Sequence, residues 1–192
     1  ETMLLWPWCV LVVTLVLIAA YRLTVLVPFC AGVCIVGLGY ALAKPDLELL
    51  NLPPALQSVW FVPHVVTYFV SYAALFASAA LAVLAIARPA WKSETGLGFE
   101  TYAHRATMFG FVTLTAGVVM GAVWGNAAWG DWWAWDPKEN WALVTFLAYL
   151  VYLHLRLING WEGRRAMTVL VAAFAAVVFT YLGMSLLPTS TE

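Results

Sequence analysis

Charged residues are scarce in this sequence. Only 10% of its 192 residues are Asp, Glu, Lys or Arg, whereas 64% are hydrophobic. Soluble domains carry about 25% charged and about 45–50% apolar residues, and a small soluble globule must turn most of its surface to water. The composition therefore argues against a soluble protein and predicts a chain that lies in a lipid bilayer.

The chain also has no excess of positive charge and few cysteines. Its formal net charge of −1 argues against nucleic-acid binding, which needs a basic surface. The cysteines, Cys9, Cys30 and Cys34, all lie in apolar runs, and none has the CxxC spacing of a redox or metal site. They are interpreted as small buried hydrophobic residues.

Six apolar runs are long enough to cross a bilayer, which takes about 20 residues of helix. They lie at about 3–20, 23–43, 60–87, 104–124, 141–158 and 166–187. No alternating pattern typical of barrel strands is present. The sequence therefore predicts an all-α, polytopic transmembrane bundle of about six helices, forming a single integral-membrane domain over residues 1–192.

Basic residues predict how this bundle sits in the membrane, because short loops rich in Lys and Arg stay cytoplasmic. Seven fall on one side: Arg22, Arg88, Lys92, Arg105, Arg156, Arg164 and Arg165. Only Lys44 and Lys138 fall on the other. Both termini and the loops at 44–59 and 125–140 are therefore predicted to be extracytoplasmic.

The segment 124–141 holds six of the eleven tryptophans of the chain. They are Trp124, Trp129, Trp132, Trp133, Trp135 and Trp141. Tryptophan favours the membrane surface, so an aromatic belt is one interpretation. A belt needs only one or two rings at each helix end, however, whereas a platform for a large flat apolar ligand needs several together. The composition favours the platform.

Asp136 begins a helix-capping pattern at the end of this segment. Asp136 as the N-cap, Pro137 at the first helical position and Glu139 two residues further predict a capping box before the fifth span. Both acids are thus first interpreted as structural. The cap would fix where the helix begins and hence how the tryptophans are presented.

The stretch 124–156 resembles the tryptophan-rich WWD signature of haem-handling membrane proteins, and we call residues 124–141 the WWD loop. The segments at 56–75, 135–139 and 152–156 resemble the CcsA (ResC) branch of cytochrome c biogenesis more than the CcmC or CcmF branches. The resemblance implies that haem b, as transported substrate, is presented at the outer face in contact with the WWD tryptophans and Asp136. It also implies a CcsB (ResB)-type membrane partner and attachment of haem to the CxxCH motif of apocytochrome c.

His64 is the first of two candidate ligands of haem iron. At helical spacing it shares a face with Trp60, Tyr68 and Ser71, a stripe that is predicted to face the bundle interior. The pattern alone leaves open whether such a histidine binds iron or is only hydrogen-bonded. The resemblance implies that it is the family's first outer haem ligand.

His154 is the second candidate, on the fifth span at roughly 20 Å along the helix from Trp141. Thr145, Tyr149 and Tyr152 form a polar stripe on that helix, and His154 is predicted to point the other way. It either snorkels to the inner interface beside Arg156 or meets a partner. The resemblance implies an intramembrane haem ligand whose fellow histidine belongs to the CcsB-type protein.

The third histidine, His104, matches no family ligand and is interpreted as an interfacial residue. The family also carries a second outer histidine shortly after its last helix, whereas this sequence has no histidine after His154. The resemblance therefore leaves the second outer ligand open.

The function expected from the resemblance is haem transport to the outer face and haem attachment to apocytochrome c, within a synthase formed with the partner. Whether the chain itself forms the thioether bonds is left open. Alternatives are a CcmC-like haem chaperone without ligation activity and a structural subunit whose tryptophans bind quinone or lipid. The expected location is a bacterial inner or plasma membrane, or a thylakoid-type membrane.

Overall fold

The computed structural model describes residues 2–43 and 54–182. Six long helices form this part of the chain: α1 (Thr2–Tyr21), α2 (Val27–Ala43), α3 (Phe61–Ala87), α4 (Phe99–Trp129), α5 (Pro137–Leu157) and α6 (Gly163–Leu182). Short 3-10 turns at Thr24–Leu26 and Pro54–Gln57 precede α2 and α3. Most of the 44–59 loop and the C-terminal residues from 183 lie outside the described residues.

The structure confirms an all-α, polytopic fold. Within residues 2–43 and 54–182, five helices are long and apolar enough to cross a membrane, namely α2 with its preceding turn and α3 to α6. For α1 the side chains are described from Trp6 to Tyr21, and this part is an apolar helix of shorter length. Within the described residues the only pairing of extended backbone is an isolated bridge between Lys92 and Gly98.

The sequence prediction for the fourth span, about 104–124, is too short at both ends. The helix begins at Phe99, after Gly98, and ends at Trp129, where Gly130 takes a left-handed φ of 87°. Polar residues such as Glu100 lower the hydropathy of the ends without ending the helix. The longer α4 carries Trp124 and Trp129, so the WWD loop begins on a helix.

Helix α3 lies at the centre of the bundle, packed against α1, α4 and α6, while α2 packs on α1 and α5 on α6. Alanine and serine dominate its buried face, so neighbouring backbones approach closely. Ser71 Oγ donates to the Gly110 carbonyl of α4, and Ser78 Oγ donates to the Ala103 carbonyl, both at 2.8 Å. The antiparallel α3–α4 pair is thus tied along its length.

The end of the bundle that carries Arg156 and the turns around residues 22, 88 and 163 is called the basic end. Arg156 Nη1 lies 2.5 Å from Glu100 Oε1, and the Gly163 backbone N–H donates to the same oxygen at 2.9 Å. Ser93 Oγ donates to the Tyr21 carbonyl at 3.0 Å. These contacts join α4 to α5 and α6, and α1 to the connection between α3 and α4. The WWD loop lies at the opposite end of the bundle, which is called the tryptophan end.

Candidate functional site

His64 lies near the start of α3, at the tryptophan end. Its Nδ1 is 2.9 Å from the carbonyl oxygen of Gly117 on α4. A carbonyl only accepts, so Nδ1 carries the proton and the lone pair of the neutral ring is on Nε2. Nε2 has no hydrogen-bond partner among the described residues. The imidazole therefore has the tautomer that a metal-binding histidine uses when its other nitrogen is held by the protein.

Two aromatic rings hold the His64 imidazole in place. Trp124 stacks on it at 5.6 Å between centroids and 27° between planes, and Tyr68 packs edge-on at 4.9 Å. Trp124 is itself fixed, because its indole N–H donates to the Ala55 carbonyl at 2.9 Å and its ring packs on Phe61. His64 and the first tryptophan of the WWD loop therefore form one site.

The structure does not bring all six tryptophans into one stack. Trp129 packs edge-on against Trp124 at 4.8 Å, and so belongs to the His64 group. Trp133 and Trp135 form a second pair at 6.0 Å, and Trp141 lies 4.1 Å from Phe179 of α6. No ring contact joins these groups within the part of the chain that is described.

Exposure also distinguishes the tryptophans. Trp129, Trp132 and Trp135 are 64%, 59% and 67% exposed, whereas Trp124 and Trp133 are half-buried. The indole nitrogen of Trp133 is buried and has no hydrogen-bond partner among the described residues. A buried N–H without a partner is unusual and calls for an acceptor. Trp133 thus has an unpaired donor, among the described residues, beside the exposed ring of Trp135.

The predicted capping box at Asp136 is confirmed. The Glu139 backbone N–H donates to Asp136 Oδ1 at 2.8 Å, and Glu139 Oε2 accepts from the backbone N–H groups of Asp136 and Ala134 at 3.3 and 2.7 Å. The Asn140 side chain donates to the carbonyl of Trp135, which has a left-handed φ of 58°. The cap thus fixes the loop backbone onto the start of α5.

His154 lies in the last turn of α5, toward the basic end. It is exposed, on the same face as the exposed side chains of Val144, Leu147 and Val151. On the opposite face, the side chains of Thr145, Tyr149 and Tyr152 are fully buried, each with an exposed fraction of 0%. The predicted orientation is confirmed. The imidazole has no partner among the described residues, and its role as a ligand stays a prediction.

His104 is half-buried near the basic end of α4. Its Nδ1 lies 3.3 Å from the hydroxyl of Tyr152 on α5. It is far along α4 from the His64 site, so the structure leaves the three histidines in three different surroundings.

Sequence reasoning missed the glycines of α4. Gly117 supplies the acceptor for His64, and Gly121 faces the imidazole itself. Gly125 lets the carbonyl of Asp131 fold back over the helix, at 3.2 Å from where a Cβ would lie. These three glycines recur every four residues, a spacing typical of close helix contacts in membranes. This four-residue spacing in the sequence could have indicated that another helix packs closely against this face of α4.

Fold and site together define a polytopic helical membrane protein with a histidine–tryptophan site at one end of the bundle. The family model described as cytochrome C assembly protein matches residues 1–191, and the chain belongs to this family. The resemblance to the CcsA branch is confirmed by similarity to proteins named cytochrome c biogenesis protein CcsA.

The CcsA protein of Prochlorococcus marinus strain MIT 9312 is 40% identical over 173 residues, which cover 74% of this chain and 56% of the relative. That of Chlamydomonas reinhardtii is 34% identical over 97% of this chain and 57% of the relative. That of Parasynechococcus marenigrum strain WH8102 is 37% identical over 80% of this chain and 61% of the relative. The chain thus spans a little more than half the length of these relatives.

Proposed function

We propose that the chain binds haem at the tryptophan end with His64 as an axial ligand, and presents it for attachment to apocytochrome c. The observation that carries the proposal is the hydrogen bond from His64 Nδ1 to the Gly117 carbonyl. It leaves the lone pair of Nε2 available to bind iron and fixes the ring in that tautomer. Membership of the cytochrome c assembly family supports haem as the cargo.

The surrounding rings suit this cargo. Haem offers two flat apolar faces and two carboxylates, and indole rings contact such faces while their N–H groups reach polar edges. Trp124 and Trp129 are next to His64, and Trp133 has a buried N–H without a partner among the described residues. We assign contact with haem to these rings and to the exposed Trp132 and Trp135.

The remaining predicted residues support the site from α5. Asp136 fixes the loop through its cap, and Trp141 packs the start of α5 on Phe179 of α6. In attachment, a cysteine thiol of the CxxCH motif would add across a haem vinyl group: the S–H bond and the vinyl π bond break, one C–S and one C–H bond form, and no electrons are gained or lost. The chain's part is placement, axial ligation and exclusion of water.

The tryptophan end is proposed to be extracytoplasmic. The seven basic residues of the inner side lie on helix ends and connections at the basic end of the bundle, and such residues stay cytoplasmic. A second haem position is proposed at His154, whose exposed imidazole would need a histidine from a CcsB-type partner. Haem would pass from that position to His64.

The test is the haem content of the His64→Ala variant, purified with its membrane partner. We expect loss of outer haem and partial recovery with added imidazole, which refills the vacant axial position. His104→Ala is the matched control, since it also removes a half-buried histidine of this bundle. Normal haem in His64→Ala would contradict the proposal. A haem-loaded protein that never forms thioether on an apocytochrome peptide would instead support a chaperone.

A further inference from the structure

We infer that Gly121 and Gly117 of α4 are positioning residues that set the location and orientation of the His64 imidazole. The inference rests on the proposed function and adds that the outer ligand is held by a cradle of bare helix backbone. It is supported by the short distances from the Cβ positions of the two glycines to His64 and to Tyr68.

Gly121 lies directly against the imidazole. A Cβ added at this position would lie 2.6 Å from Cε1 and 3.0 Å from Nδ1 of His64. Carbon atoms do not approach within 3.0 Å without displacement, so any side chain here moves the ring. Trp124 stacks on that ring and the Gly117 carbonyl holds its Nδ1, so displacement strains both contacts.

Gly117 acts one helical turn earlier, in two ways. Its carbonyl is the acceptor that fixes the tautomer of His64. A Cβ here would lie 2.8 Å from Cδ2 of Tyr68, whose ring packs edge-on against the imidazole. Replacing Gly117 by alanine therefore pushes on His64 through Tyr68 while leaving the carbonyl in the backbone. We expect a weaker effect than at Gly121.

Close packing of α3 on α4 does not by itself explain these glycines, and the chain offers a control for it. Gly110 is on the same face of α4, where a Cβ would lie 2.6 Å from Cδ2 of Leu75. The steric clash is as severe as at Gly121. Gly110 is eleven residues from Gly121, which is roughly 16 Å along the helix. Its replacement tests helix packing without touching the His64 site.

The experiment compares Gly121→Ala, Gly117→Ala and Gly110→Ala in the complex with the membrane partner. The readouts are haem bound per protein, the absorption bands that report axial ligation, and the thermal midpoint. Loss of a group that orients a metal-binding histidine costs about 10–100-fold in affinity. We expect a loss of that size with altered bands in Gly121→Ala and a smaller loss in Gly117→Ala. Gly110→Ala should lower only the thermal midpoint.

A double variant keeps the test decisive if Gly121→Ala folds poorly. When His64→Ala is added, the atoms that clash are gone, so the thermal midpoint should recover toward that of His64→Ala alone. An equal drop in both backgrounds would overturn the inference, as would normal haem bands in Gly121→Ala. If His64→Ala itself keeps outer haem, the proposed function fails instead.

Discussion

His64 and His154 both lie on apolar helices long enough to cross a membrane, but they differ in burial, in hydrogen bonding and in contacts with aromatic rings. His64 is half-buried, bonded through Nδ1 and packed by Trp124 and Tyr68. His154 is exposed on an apolar helix face and has no partner among the described residues. The first is oriented by this chain alone. The second points to a defined face of its helix, but no described residue bonds to it.

The difference shows how a site built within one chain differs from one half of a shared site. An ordered imidazole binds iron without further loss of freedom, since its rotamer and tautomer are already fixed. A polar side chain that faces lipid is costly and is retained where it meets another polar group. The proposed roles of the two residues follow from this contrast.

The sharpest test of the contrast is whether the two histidines lie near opposite membrane surfaces. Single cysteines introduced at Asp131 and Asn159 report on the tryptophan end and the basic end, respectively. Both positions are exposed. The native cysteines are first replaced by alanine: Cys9, Cys30 and Cys34.

We expect a membrane-impermeant maleimide to label Asp131→Cys fully in intact cells and Asn159→Cys only after the membrane is opened. The reason is the bias of basic residues toward the cytoplasm. Labelling in the reverse order would invert the proposed direction of haem movement.

The next effect in size concerns His154. In the isolated chain, His154→Ala should leave the haem content unchanged, because the imidazole lacks a second ligand. In the complex with a CcsB-type partner it should remove one haem, at a cost of at least about tenfold in affinity, since a direct ligand matters no less than the groups that orient it. The measurement is haem per protein in both preparations. A haem that depends on His154 in the isolated chain would refute the shared site.

Local patterns let the sequence predict the surroundings of His154 better than those of His64. The direction of His154 follows from helical periodicity, because Thr145, Tyr149 and Tyr152 had to point inward. The cap at Asp136 is likewise contained in four consecutive residues. Both predictions are confirmed because the information lies within one turn or one face of a helix.

The surroundings of His64 depend on tertiary contacts. Its acceptor, Gly117, is 53 residues away in sequence, and only the antiparallel approach of α3 and α4 brings the two together. The grouping of the tryptophans depends on the left-handed residues Gly130 and Trp135, which turn the loop after α4. Backbone conformations of that kind are not encoded in hydropathy.

A third prediction separates the tryptophans around His64 from those that project outward. Trp124→Phe removes an indole hydrogen bond and part of the stacking on His64, each worth about 0.5–1.5 kcal/mol. We expect roughly tenfold weaker outer haem, which a titration with haem measures. Trp132→Phe keeps an aromatic ring at an exposed position and is expected to change haem affinity less. Equal losses in the two variants would mean that the loop acts as one platform.

Imidazole distinguishes these variants from loss of the ligand. Added imidazole refills an axial position, so it should partly restore His64→Ala and should leave Trp124→Phe unchanged. Rescue of both variants to the same extent would remove His64 from the role of axial ligand.

The smallest expected effect on haem binding is at Asp136. Its carboxylate caps α5, and among the described residues it has no hydrogen bond to either histidine. Asp136→Ala removes the acceptor for the Glu139 N–H and should cost about 1 kcal/mol of helix stability, or about 2–4 °C in the thermal midpoint for a chain of this size. Asp136→Asn keeps an acceptor oxygen and removes the charge, so it should retain most of the stability.

The two Asp136 variants show whether this carboxylate stabilises the fold or contacts haem. His64 is oriented from α3 and α4, through Gly117 and Trp124, so loss of the cap on α5 should leave its haem largely in place. Thermal unfolding and haem content measured on the same preparations test this. If Asp136→Asn keeps its thermal midpoint but loses haem as severely as His64→Ala, the charge itself meets haem or its partner. The tryptophan end would then be a site that needs α5 as much as α3 and α4.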